Sequence, residues 1–304
     1  MKKFDILIKA LAMGLLLILT VANSETCAQV NPLGSVYYQN QYLINPAMGG
    51  TEDGLRINLA YRKQWNGIPG APATGAITAD YGFSNKVGLG INLYNEKAGL
   101  IRNTKAMATY SYHVALSEER KLHFGLSAGV MNERLDTDGL NGDHDDPQVE
   151  RFNSQGTYFD GDFGIAYTDS KFTVQAAFPT IVSYFLKDET KLVGRQTFFT
   201  AISYKLKFNE GENAVALEPK ICLRGSNNLS GILDIGSNVS FLNNQVNIFG
   251  LYHSSKNATL GFGVKLKGMF RVTGMYSSES SSMKSYAGGN YEVSLTGTLV
   301  KKGK

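Results

Sequence analysis

A run of aspartates at residues 136–146 is the first place in this 304-residue sequence where side chains could act together. Asp136, Asp138, Asp143 and Asp145 bring hard oxygen donors to short spacing, and such donors are what Ca²⁺ prefers. An EF-hand calcium loop, however, needs a third ligand two positions after Asp138 and a Glu at its end. We therefore favour a solvated acidic loop over a metal site.

The histidines and serines give little support for catalysis. The histidines are His113, His123, His144 and His253, and they lie far apart among the strands predicted below. The sequence contains no HExxH motif, and its Gly-x-Ser-x-Gly run at residues 125–129 lies inside a predicted strand rather than at the strand-to-helix turn of a nucleophile elbow. Ser111 or Ser127 could meet a histidine across adjacent strands, as a hydrolase would need, but such pairs often arise by chance. We expect no catalytic residue, no cofactor and no enzyme activity.

Charge and cysteine content exclude two further classes of protein. The formal net charge is +4 and the basic residues are scattered, without a basic tract that would predict nucleic-acid binding. Beyond Cys27, only Cys222 is present, so the chain after residue 28 has no internal disulfide to form. Cys222 lies between Ile221 and Leu223, which favours a packing role.

The first 28 residues have the features of a secretory signal peptide. Lys2 and Lys3 precede a short apolar stretch over residues 10–22, and cleavage after Ala28 fits the small residue Thr26. The alternative is a lipidated Cys27, which Thr26 fits poorly. No later segment approaches the roughly 20 apolar residues of a transmembrane helix. We expect an exported protein.

Strict alternation of apolar and polar residues indicates strands through the rest of the chain. It is clearest over residues 87–93, 122–130, 258–266 and 291–299, and helical spacing would not produce it. With turn signals between such runs, strands are predicted near residues 54–64, 73–83, 86–94, 105–116, 121–132, 160–169, 171–178, 196–208, 213–223, 230–241, 245–253, 258–267, 269–278 and 289–300. The fold class is therefore all-β, a transmembrane up-and-down antiparallel β-barrel of about fourteen strands.

Composition agrees with a barrel, and the spacing of the strands divides the chain. The 33 glycines suit tight turns, and the 16 tyrosines suit aromatic girdles at membrane interfaces. Residues 1–28 form the signal peptide, residues 29–53 an N-terminal arm or partial plug, and residues 54–304 the barrel. Long connections are expected over residues 133–157, 180–194 and 277–288, facing outward as in other outer-membrane barrels.

Two stretches near the start of the chain combine uncommon residue types. One contains Tyr37-Tyr38-Gln39-Asn40 and Asn45-Pro46-Ala47; the other runs from Tyr61 through Trp65 to Thr74. Alternation directs Arg62, and with it Gln64, toward the lumen, and places Trp65 just past a strand end, where an indole suits the interface. This turn either fixes the geometry of a hairpin or forms a docking surface at the rim, and both interpretations stay open.

These stretches resemble the opening signature of the PorP/SprF family of outer-membrane proteins of type IX secretion. The resemblance implies an outer-membrane barrel that binds a secreted protein by its C-terminal signal domain and retains it at the cell surface, such as a gliding adhesin. Its implied partners are membrane lipid, that cargo and other secretion components. The candidate docking residues are Asn45, Pro46, Arg62, Gln64, Trp65, Gly70, Pro72 and Thr74. The alternative function is a passive porin or small-solute channel.

Overall fold

The structure is a computed structural model that describes residues 34–136, 147–154, 156–184, 197–226, 229–279 and 288–299. Almost all of these residues belong to a single antiparallel sheet. Within the described residues, no helix has the length and apolar character needed to cross a membrane.

Fifteen strand segments follow one another around the sheet. They are β1 (Gly54–Lys63), β2 (Ala73–Ser84), β3 (Val87–Ala98), β4 (Ile101–Ala115), β5 (Lys121–Leu135), β6 (Thr157–Thr168), β7 (Phe172–Phe178), β8 (Thr197–Tyr204), β9 (Leu206–Lys207), β10 (Ala216–Ser226), β11 (Leu229–Phe241), β12 (Val246–His253), β13 (Asn257–Leu266), β14 (Phe270–Ser277) and β15 (Asn290–Leu299). Apart from β8 and β9, which both pair with β10, each strand pairs with its neighbours in the chain, and β1 pairs with β15, so the sheet closes on itself.

The closed sheet has fourteen strand positions, as the alternation predicted. The two-residue β9 continues β8 along the same edge of β10 after an interruption at Lys205. The register against β10 does not change between them. β4 and β5 are longer than predicted by several residues, because β4 begins at Ile101, directly after the tight turn at residues 99–100, and β5 continues to Leu135. A short helix, α1 (Pro147–Asn153), lies in a stretch that the sequence analysis assigned to a loop.

Side chains alternate between an apolar outside and a polar inside. On β1, Ile57, Leu59 and Tyr61 are exposed on the outer face, whereas Asn58 and Arg62 are buried inside. Exposed outward aromatic rings form two girdles near the strand ends, with Tyr61, Phe159, Tyr252, Tyr276 and Tyr291 at one end and Phe83, Tyr112, Phe172 and Phe208 at the other. An apolar band between aromatic girdles is the surface that a barrel presents to lipid.

The two ends of the barrel differ in the length of their connections. The connections at residues 64–72, 136–156, 179–196 and 278–289 all emerge at one end, which we call the loop end. The opposite end, the turn end, carries tight connections such as residues 242–245 and 267–269, and both the start of β1 and the end of β15 lie there. Longer connections on one side are the usual asymmetry of outer-membrane barrels.

Residues Gly34–Thr51, which we call the inner segment, lie within the ring of strands. Three short 3₁₀ turns organise this segment, at Val36–Tyr38, Gln41–Leu43 and Pro46–Met48. Most of its side chains are buried, and its hydrogen bonds reach inward-facing residues on strands from β2 to β15. A short 3₁₀ turn satisfies only part of its own backbone, so the barrel wall has to supply the remaining partners.

Candidate functional site

Three buried carboxylates on the barrel wall hold the inner segment, and each also pairs with a wall arginine. The three pairs are Glu292 with Arg62, Asp234 with Arg224, and Asp80 with Arg56. All three carboxylates are at most 3% exposed. A buried charge is costly unless it is paired and hydrogen-bonded, and these carboxylates meet both conditions.

The first pair anchors the start of the inner segment near the loop end. Arg62 on β1 and Glu292 on β15 are direct cross-strand neighbours, with Arg62 Nε 3.6 Å from Glu292 Oε1. The backbone N–H of Ser35 donates to both Glu292 oxygens at 3.0 and 2.9 Å, and the N–H of Val36 donates to Oε2 at 3.1 Å. Two successive amides directed at one carboxylate form a charge-assisted clamp.

The second pair anchors Tyr37. Its hydroxyl donates to Asp234 Oδ2, which also accepts from Arg224 Nε at 2.6 Å. The other oxygen, Oδ1, lies 2.6 Å from Nδ1 of His253. The Arg224 guanidinium lies 5.0 Å from the Tyr37 ring centroid, within cation–π range. Asp234 is fully buried, so this network depends on every one of these partners.

The third pair anchors the end of the inner segment near the turn end. Arg56 on β1 faces Asp80 on β2, with Nε 3.1 Å from Oδ1 and Nη2 3.3 Å from Oδ2. The backbone N–H of Gly50 donates to Asp80 Oδ2 at 2.9 Å. Carboxylates thus fix the inner segment at its start, at Tyr37 and at its end.

The motif residues Asn45 and Pro46 lie over a pair of glycines on the barrel wall. Gly125 on β5 and Gly164 on β6 face each other across the strands, and a Cβ on Gly164 would lie 2.0 Å from Asn45 Oδ1. A Cβ on Gly125 would lie 2.2 Å from the carbonyl carbon of Pro46. Glycine at both positions therefore gives the inner segment the space that it occupies.

Asn45 itself makes local and long-range hydrogen bonds. Its Oδ1 accepts from the backbone N–H of Ala47 at 3.0 Å and so caps the 3₁₀ turn that Pro46 begins. Its Nδ2 donates to Gln175 Oε1 on β7 at 3.2 Å. The Asn-Pro motif thus both shapes the inner segment and attaches it to the wall.

The second motif stretch forms the connection between β1 and β2 at the loop end. Gln64 is buried there, and its N–H donates to the Pro72 carbonyl at 2.9 Å. The carbonyl of Gly70 accepts from Gly99 N at 2.9 Å, which braces the loop against the β3–β4 turn. Thr74 on β2 is buried directly opposite Arg62.

The same loop is braced on its other side by the connection between β14 and β15. The N–H of Trp65 donates to Asn290 Oδ1 at 3.2 Å, and Asn66 exchanges backbone hydrogen bonds with Gly288 and Gly289. The Trp65 side chain also acts on the Glu279 carboxyl, whose pKa it lowers. Burial raises the pKa of Glu279 above its ordinary value of 4.5, against the opposing effects of Arg62 and Trp65. Hydrogen bonds therefore hold the β1–β2 connection against the β14–β15 connection at the rim.

The candidate calcium residues are only partly within the described structure. Asp136 accepts from Arg102 Nε at 2.9 Å, an ion pair that fixes the end of β5. Asp138, Asp143 and Asp145 lie outside the described residues. Within the part of the chain that the structure describes, no group of three or more potential metal-ligating residues occurs.

The expectation that the four histidines lie far apart is wrong for two of them. His113 on β4 and His123 on β5 are direct cross-strand neighbours, with their Nδ1 atoms 2.8 Å apart. Neither serine considered as a nucleophile bonds to them, because Ser111 Oγ donates to the Pro46 carbonyl and Ser127 Oγ lies 2.7 Å from Thr109 Oγ1. Strand assignment alone, without register, could not reveal the histidine pair.

Sequence reasoning identified Arg62 but missed the other members of the carboxylate–arginine pairs. An inward-facing charge on a membrane strand needs a partner of opposite charge. That requirement was the signal in the sequence that such pairs exist. Finding that partner requires the register between strands, and two of the pairs, Arg62 with Glu292 and Arg56 with Asp80, are direct register neighbours. The backbone N–H groups and the hydroxyl that donate hydrogen bonds to the carboxylates come from the inner segment. The sequence of that segment has no periodic pattern from which its path could be predicted.

Curated proteins and solved structures do not give the barrel a family. No curated protein matches the sequence. Among solved structures, Acinetobacter baumannii Omp33 is 6% identical and the match covers 82% of this chain and 100% of that one, with a TM-score of 0.49. The Pseudomonas (P. putida) toluene transporter TodX is 10% identical, covering 86% and 95% of the two chains, with a TM-score of 0.46. At such values these likenesses carry no argument about function.

The decisive comparison is with protein families. Residues 26–296 match the family described as "Type IX secretion system membrane protein PorP/SprF", which is nearly the whole chain. The match includes the inner segment, both motif stretches and all but the end of the last strand. Together with the closed barrel, this places the protein in the outer membrane as part of that secretion system. The chain therefore belongs to the PorP/SprF family of type IX secretion system membrane proteins.

Proposed function

We propose that this barrel binds a secreted type IX cargo protein through its C-terminal signal domain and retains it at the cell surface. The observation that carries this proposal is the inner segment, which the Glu292, Asp234 and Asp80 pairs hold inside the lumen. A lumen occupied over so much of its length suits a rigid anchor better than a passage for solutes.

The loop end is the surface on which cargo would dock. Outer-membrane barrels turn their longer loops toward the exterior and their short turns toward the periplasm. On that orientation the motif loop at residues 64–72 faces outward. Its bracing against Gly99 on one side and Gly289 on the other supports a preorganised contact surface, because a loop that is already ordered loses little entropy on binding.

The proposal is tested by purifying the full-length protein from gently solubilised outer membranes and identifying co-purifying proteins by mass spectrometry. A secreted protein with a type IX C-terminal domain should co-purify. The double variant Ile68→Glu/Leu100→Glu places charge on the rim at the loop end and should lose the cargo. The matched variant Leu116→Glu/Leu242→Glu makes the same change at the turn end and should retain it. Absence of secreted protein from the wild-type preparation, or equal loss in both variants, would contradict the proposal.

The alternative function is a passive porin, and conductance in planar bilayers separates the two. An anchor with the inner segment in place should show little conductance. A steady open conductance of the wild-type barrel, together with purification free of secreted protein, would favour the porin.

A further inference from the structure

The turn end of the lumen contains a cavity lined by an excess of positive charge. It has a volume of about 310 Å³ and lies between the inner segment and the wall formed by strands β10 to β15 and β1. Five cationic side chains and two carboxylates line it. The cations are Arg56, Lys205, Lys220, Lys265 and Arg271; the carboxylates are Glu52 and Glu218. We call this cavity the cationic vestibule.

The carboxylates do not neutralise the vestibule. Glu52 pairs with Arg56, which Asp80 already engages, and Glu218 lies 3.8 Å from Lys220 Nζ. Lys205, Lys265 and Arg271 form no ion pair with any described residue. Charges inside a low-dielectric ring of strands focus their field into the cavity, which attracts anions.

Two of these cations are placed against each other. Lys265 on β13 and Arg271 on β14 are direct register neighbours that both line the vestibule. Like charges directly opposite each other on paired strands are destabilising, so this arrangement is unfavourable in the absence of an anion. An anion between them would reverse the sign of the interaction.

The vestibule also has polar groups in place for a ligand. The Arg271 guanidinium is oriented by donating to Asn247 Oδ1 and, at 2.6 Å, to the Asn244 carbonyl. A guanidinium held in place in this way is a group that an oxyanion would engage.

From this geometry we propose that the cationic vestibule binds an anion carrying several carboxylate groups, which enters from the turn end. Lys265 and Arg271 hold the carboxylates, and Lys205 adds to the attraction at the mouth. The volume is at the lower end of the range for small-ligand pockets, about 300–1,000 Å³. The site therefore accepts either a small polycarboxylate or the side chains of a short acidic stretch of a protein. It is separate from the loop end on which the proposed cargo docking rests.

The test uses the purified full-length barrel in detergent at low ionic strength, titrated calorimetrically with citrate and, separately, with hexaglutamate. At least one should bind, with an affinity that falls as salt is added. Citrate binding as tightly as the peptide indicates a free solute; tighter binding of the peptide indicates an acidic protein segment. Lys265→Gln/Arg271→Gln should weaken binding about tenfold or more, since each removed contact involves a charged group.

Two further variants keep the test decisive. Lys171→Gln/Lys267→Gln removes two charges from turns at the same end but outside the vestibule lining, and should bind as the wild type does. Asn247→Ala releases the Arg271 guanidinium without changing any charge, and should weaken binding by less than the double variant. Heat-modifiable gel mobility confirms that each variant is folded. The proposal is overturned if neither anion binds, or if both double variants weaken binding equally.

Discussion

Arg62 on the first strand and Glu292 on the last face each other across the seam that closes the barrel, with Nε 3.6 Å from Oε1. Glu292 at the same time accepts the backbone N–H groups of Ser35 and Val36. Glu292 therefore forms the ion pair across the closing seam and also holds the start of the inner segment. Closure of the barrel and filling of its lumen are linked at one carboxylate.

Replacing Glu292 with glutamine should loosen the inner segment at the loop end. The charge that Ser35 and Val36 share disappears, and hydrogen bonds to a charged group contribute about 1.5–3 kcal/mol, roughly twice the value for neutral ones. Glu292→Gln should therefore raise conductance in planar bilayers above that of the wild-type barrel. Glu210→Gln, in the exposed connection before β10, should leave conductance unchanged. Equal conductance of Glu292→Gln and the wild type would show that this clamp does not control the lumen.

Substitution of Gly164 should displace the inner segment from the wall. A Cβ there would lie 2.0 Å from Asn45 Oδ1, and overpacking of a filled interior costs about 1–3 kcal/mol or more. Gly164→Val should make the inner segment accessible to added protease in the purified barrel, whereas the wild type resists cleavage.

Gly274→Val provides the matched control for that experiment. Gly274 is also a strand glycine, but nothing lies within 4 Å of the position that its Cβ would take. This variant should resist protease as the wild type does. Cleavage of both variants at the same rate would mean that valine in any strand disturbs the barrel.

Periodicity in the sequence predicted the strands because each spanning strand faces lipid on one side and the polar lumen on the other. Leu89, Ile91 and Leu93 are exposed as their alternation required. Alternation gives the face of a residue and not its register, so the neighbours of Glu292 and His113 could not be read from it. The inner segment obeys no period at all, since its backbone follows partners such as Gly164 and Asp234 that come from distant parts of the chain.

Asp234 should be the carboxylate whose loss destabilises the barrel most. It is fully buried and bonds Arg224, His253 and Tyr37 together. Removing one partner of a buried ion pair costs about 3–5 kcal/mol, and Asp234→Asn should lower the free energy of unfolding in urea by that order. Tyr37→Phe removes one bond to the same charge and should cost about 1.5–3 kcal/mol.

The single tryptophan, Trp65, gives a fluorescence signal for these unfolding curves. Asp169→Asn is a suitable control, because Asp169 lies in the exposed β6–β7 turn and asparagine keeps the oxygen that accepts from Lys171 and Phe172. Its unfolding midpoint should match the wild type. An Asp234→Asn midpoint that is equally unchanged would show that the buried network contributes nothing to stability.

The rim beside the motif loop should respond to pH through Glu279. Burial raises the pKa of its carboxyl above 4.5, although Arg62 and Trp65 oppose that rise. A carboxyl whose pKa is higher in the folded loop than in the open loop binds its proton more readily when the loop is closed. Its contribution to the closed loop is therefore fully present at low pH and is lost as pH rises through the raised pKa.

Trp65 reports this titration, since its side chain interacts with the carboxyl and the chain has no other tryptophan. Trp65 emission of the purified barrel should change with pH, with a midpoint above 4.5. Glu279→Gln should abolish that transition, because glutamine does not titrate. Glu150→Gln, in helix α1 on another connection at the loop end, should keep it. A transition that survives in Glu279→Gln would assign the pH response to another group, and the coupling between Glu279 and the motif loop would be refuted.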